Sequence, residues 1–77
     1  MRTMTVSLDH ARLLLGLRGQ QLGLVRQAIV DTDTGTVEQL LLETRWQQVG
    51  IPWQRVAFDA ESDSFQLQPA RRRNQPS

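Results

Sequence analysis

LGLVRQAIVDTDTGTVEQLLLET, Leu22 to Thr44, decides the fold of this chain. Its first ten residues read as a strand, with Val25 and Ile29 on one face and Leu24, Ala28 and Val30 on the other. Asp33-Thr34-Gly35 then supplies a turn, because glycine takes positive φ without strain and an Asp side chain can bond the backbone. Thr36 to Thr44 starts with β-branched residues and has an apolar centre, so it pairs back as the second strand of a hairpin.

Downstream, a loop through Trp46, Gln47 and Gln48 leads to Val49 and Ile51. Pro52 cannot donate to a sheet ladder, which places it on an edge or at a corner. The Pro-Trp pair turns the chain into RVAFD, where Val56 and Phe58 share a face. Asp59 to Asp63 is a second acidic turn, and SFQLQ alternates as a closing strand with Phe65 and Leu67 inward. Upstream, SLDHARLLLG predicts one or two helical turns, with Ser7 or Asp9 capping the first N–H groups and Gly16 ending the turn at positive φ. The whole reads as an all-β protein, a small barrel of roughly six short strands with a short N-terminal helical turn.

The 77 residues form one domain, residues 1–68, followed by a flexible basic tail, 69–77. A chain this short buries about 60% of its unfolded surface. It has no cysteine and no zinc pattern, so a core worth about 3–5 kcal/mol invites self-association as a homodimer. Absence of cysteine fits a reducing compartment. No stretch resembles a signal peptide or a membrane span, and the expectation is a cytoplasmic protein, at most peripheral to a membrane complex. Nine arginines and no lysine face eight acids. Residues 1–70 hold six of the arginines and all eight acids, a net of −2, so the basic character lies in Arg71, Arg72 and Arg73. A dedicated nucleic-acid binder spreads basic and aromatic residues over its folded face, and this body does not. The arginine tail reads as a solvated end or as a tether for RNA or an acidic partner.

Catalytic and metal chemistry find little footing. His10 is the one histidine, so there is no zinc set and no Cys-His pair. Ser7, Ser62 and Ser64 lie in no nucleophile elbow. Asp31 and Asp33 open a calcium-loop pattern that fails, because Gly35 stands where a third oxygen ligand belongs and Leu42 where a bidentate Glu would be. No cofactor and no catalytic residue are expected.

Contact residues are easier to nominate. If Leu40 and Leu42 point inward, Leu41 points out and joins Val37 in an apolar patch for a partner or a second copy. Trp53, constrained by the preceding proline, is expected mainly to cover one end of the barrel and is a further candidate for protein contact. Trp46, in a loop of Gln and Arg, is either rim packing or a contact residue, tryptophan being enriched at binding hot spots.

Taken in order, Leu14-Leu15-Gly16, Leu22-Gly23, Val25, Val30-Asp31, Thr34-Gly35, Val37, Leu40, Leu42, Ile51-Pro52-Trp53, Val56 and Phe58 resemble the PRC-barrel family, named for the cytoplasmic domain of the photosynthetic reaction centre H subunit. The likeness covers residues 7–68, with the Gly16–Leu22 segment shorter than the family pattern. Either the first strand is truncated or MTVSL joins the sheet in its place. The resemblance implies a small barrel used for protein contacts, as in the reaction-centre subunit and in the C-terminal domain of a ribosome-maturation factor. With no catalytic set among the residues, the expectation is a non-catalytic docking module with a protein partner, binding a larger assembly such as a photosynthetic complex or a ribosomal precursor. The alternative is an RNA- or ribosome-associated factor acting through the arginine tail.

Overall fold

The computed structural model describes residues 2–69. Six strands follow one another: β1 Thr3–Leu15, β2 Gln21–Asp31, β3 Thr36–Glu43, β4 Gln48–Pro52, β5 Val56–Asp59 and β6 Ser64–Leu67, with a single 3-10 turn, Trp53–Arg55, between β4 and β5. They form one sheet in the order β4-β3-β2-β1-β6-β5, curled into a half-barrel, and the all-β expectation holds. Every neighbouring pair is antiparallel except β1 and β6, which run parallel through Leu14 opposite Phe65 and Leu15 opposite Gln66.

The β2–β3 hairpin forms where the pattern places it. At its turn the Asp31 carboxylate accepts the Asp33 N–H at 2.8 Å, and Gly35, at φ 76°, donates its N–H to the Asp31 carbonyl at 2.7 Å. The N-terminal segment differs from its reading. Ser7–Leu15 is not helical but the greater part of a 13-residue β1 that takes in MTVSL, and Gly16 does not take positive φ; Gly19 does, at 83°. A helix of two turns has to nucleate at a cost that local caps do not recover, whereas the extended chain gains ladder pairs against β2 on both sides of residues 8–11. The helix-like spacing survives as a bulge. Between the pairs Ser7–Gln27 and Arg12–Val25, residues 8–11 of β1 face Arg26 alone on β2.

The core is small and lies on the inner face of the curl. Leu14, Val25, Ala28, Leu40, Leu42, Val56 and Phe65 are buried, with Val6, Leu8, Leu22, Val37 and Ile51 packed around them. Two facial assignments change for one physical reason. An extra residue at Arg26 reverses the alternation in β2, so Val25 and Ala28 are buried together. An extra residue at Glu38, between the pairs Ile29–Gln39 and Val30–Val37, does the same in β3 and turns Val37 onto the core.

Candidate functional site

The residues nominated for contact separate in three dimensions. Val37 packs against the core and does not extend an outer patch with Leu41. Trp53 opens the 3-10 turn and meets Phe65 edge-to-face, ring centroids 6.3 Å apart, while Phe58 lies tilted on the same ring at 5.3 Å. Trp53 and Phe58 thus both pack on the buried Phe65 ring while staying partly exposed themselves. Leu41 is half-buried in β3, opposite Gln27 on one side and Gly50 on the other. Gly50 brings no side chain to that flank of Leu41, and the side-chain amide of Gln39 lies over the glycine instead. Arg71, Arg72 and Arg73 lie outside the described residues.

Trp46 is the outlier, 85% exposed at the tip of the β3–β4 connection. Its turn is tightly organised. Thr44 donates its backbone N–H to the Gln47 carbonyl at 2.8 Å. The Thr44 hydroxyl donates to that carbonyl at 2.9 Å and accepts the N–H groups of Trp46 at 3.2 Å and Gln47 at 3.1 Å. Threonine thus acts as a local brace, replacing ladder bonds with side-chain bonds. The Arg45 guanidinium rests 5.8 Å from the indole centroid. A wide apolar ring is held in water on a fixed turn, at the end of the hairpin that carries Leu41.

The structure adds a charged cluster that sequence reasoning did not assemble. On the β1 bulge, His10 Nε2 lies 2.5 Å from Asp63 Oδ2 and Nδ1 lies 3.4 Å from Asp9 Oδ2. Arg12 bonds both acids, Nε to Asp63 and Nη1 to Asp9, each at 2.9 Å. The Arg12 side chain is largely covered, its guanidinium 5.6 Å from the Phe58 ring centroid. Asp63 sits in the left-handed region at φ 54°, which aims its carboxylate from the β5–β6 turn back toward β1. Hydrogen bonds from His10 and then Arg12 hold the Asp63 carboxyl below its ordinary value of 3.8, and the Arg12 bond does the same to Asp9. The Arg12 guanidinium is pushed up by Asp63 and then Asp9. Both ring nitrogens of His10 face carboxylates, so neither is turned outward as a base. The cluster works as a clasp across the β1–β6 seam, which has two ladder pairs and a 2.6 Å bond from Gln66 Nε2 to the Gly16 carbonyl.

The clasp predicts a pH dependence. Carboxyls depressed in the folded state stabilise it above their unfolded value and lose that contribution as pH falls through the folded one. Asp63→Asn is therefore expected to lower the thermal midpoint modestly at neutral pH, and the gap from wild type should close as pH drops below 3.8. A constant gap across a pH titration of thermal unfolding would show that the Asp63 charge does not hold the seam.

Beside the bulge, Ser7, Leu8, His10, Ala11, Arg26, Gln27 and Glu43 line an open groove of about 410 Å³. Two of these lining residues, Arg26 and Glu43, form an ion pair at 3.2 Å. Ser62, in the β5–β6 turn, and Ser64, the first residue of β6, bond each other through their hydroxyls at 2.5 Å. Among the described residues no group of three or more His, Asp or Glu side chains could hold a metal ion. No helix is long and apolar enough to cross a membrane.

The described residues thus define an open all-β half-barrel that presents a braced tryptophan. No family model matches the chain, and no curated protein matches it significantly.

Proposed function

We propose that this chain is a non-catalytic docking module of the PRC-barrel type, which attaches to a larger protein assembly such as a photosynthetic complex or a ribosomal precursor. The observation that carries the reading is Trp46, exposed on a turn already fixed by Thr44. A large aromatic loses little rotamer entropy on binding and buries much apolar area, and a pre-ordered turn removes the cost of ordering the loop. Leu41, half-buried opposite Gly50, adds apolar surface on the same hairpin. Folding alone gives no reason to keep Trp46 in water.

The test is capture from native extract at low and high salt, followed by affinity measurement with the purified partner. Trp46→Ala is expected to weaken binding about tenfold or more, with salt having little effect. Leu41→Asp should weaken it too, and removal of residues 71–77 should leave it intact. Capture of RNA-containing material alone, at low salt and dependent on Arg71, Arg72 and Arg73, would overturn the docking reading in favour of a nucleic-acid tether.

A further inference from the structure

An open half-barrel leaves strand edges unpaired, and an unpaired edge is a template for another strand. Two of the edges here are blunted. β4 is five residues long and ends in Pro52, which has no N–H to offer; β5 is four residues long and ends in Asp59. The third edge has no such protection. β6 pairs with β1 only at Leu14 and Leu15, so Thr3–Ser7 is laddered to β2 on one side and to no other strand among the described residues. That stretch, TMTVS, has no charge, no proline and no glycine, and three of its residues are β-branched.

The phase of the ladder says which groups face outward. Thr32 donates its N–H to the Arg2 carbonyl at 3.0 Å, and the register from Thr3–Asp31 to Ser7–Gln27 is uninterrupted. In an antiparallel pair, bonded and non-bonded positions alternate. Arg2, Met4 and Val6 therefore direct their backbone groups to β2, while Thr3, Thr5 and Ser7 direct theirs to the open edge.

We propose that this edge is a homodimer interface, in which a second copy of the chain adds its own Thr3–Ser7 antiparallel about a two-fold axis at Thr5. The segment is its own complement in that register. Thr5 meets Thr5 of the second copy, and Thr3 meets Ser7, so every outward N–H and C=O finds a partner. Met4 falls opposite Val6 on the inner face, where Val6 already packs against the core and Met4 is 52% exposed. The pairing covers the exposed methionine, brings no charge into contact, and extends a small core across the axis. Trp46 plays no part in this contact.

Sedimentation velocity on the full chain, across micromolar concentrations, tests it. Wild type is expected to form a dimer. Thr5→Pro removes an outward N–H without breaking a bond to β2, and Thr5→Lys sets two like charges face to face at the axis. Each should raise the dimer dissociation constant about tenfold or more while leaving the circular dichroism unchanged. Trp46→Ala should leave the dimer intact. If Thr5→Pro alone unfolds the chain, Thr5→Lys decides. A monomeric wild type, or a dimer that both Thr5 variants keep, would overturn the proposal.

Discussion

Leu14→Ala is expected to cost about 2–5 kcal/mol and to leave the chain largely unfolded at physiological temperature. Leu14 is fully buried, and it is the residue on which the two halves of the sheet meet, opposite Gly23 on β2 and Phe65 on β6. No other core side chain occupies both seams. Gly23, directly opposite on β2, has no side chain to move into the cavity it leaves. A domain of this size, without disulfide or metal, draws only about 3–5 kcal/mol from its core, so the loss is of the same order as the whole stability. Leu13→Ala and Leu15→Ala, at half-buried neighbours on the same strand, should each cost less. Urea unfolding followed by circular dichroism checks the ordering. Equal midpoints for the three variants would show that β1 is not the hinge of the core.

The β2–β3 hairpin was legible because three signals agree there: apolar patterning, β-branched residues and a turn that needs both an Asp side chain and a Gly. Where signals conflict, the sequence alone misleads. SLDHARLLLG has helical spacing and cap residues, but its partner in β2 outweighs them, and the conflict persists as the bulge at residues 8–11. Val37 and Ala28 were assigned to faces by strict alternation, and one extra residue on each strand, Glu38 and Arg26, reverses it. A bulge leaves no mark in residue type, so no reading of period alone finds it. The clasp was hidden by distance along the chain, since His10 and Arg12 reach Asp63 across more than fifty residues. Its one local sign was an acidic turn following Phe58. Trp46 was left between rim packing and contact, and the indole stands 85% exposed.

Two glycines that look alike in the sequence should respond in opposite ways to alanine. A Cβ at Gly23 would collide with the backbone carbonyl oxygen of Glu43 and press on Leu42 Cδ1 at 3.0 Å. Neither neighbour can yield alone, because Leu42 is in the core and the Glu43 carbonyl belongs to the backbone of β3. A Cβ at Gly50 would collide only with the side-chain amide of Gln39, an exposed group at the end of a flexible side chain. Gly23→Ala is therefore expected to destabilise the chain toward the upper end of about 1–3 kcal/mol, as overpacked sites do. Gly50→Ala should be neutral, or stabilising by about 0.4–1 kcal/mol through the unfolded state. Thermal or urea unfolding of the two variants reads the difference directly, and equal losses would mean that Gln39 is as fixed as the backbone. The Gly23 variant also bears on function. Any shift of the chain at Glu43 passes to Thr44, whose hydroxyl braces the Trp46 turn. Gly23→Ala should thus weaken partner binding from a buried position, whereas Gly50→Ala, which adds a methyl group beside Leu41, should leave the turn undisturbed.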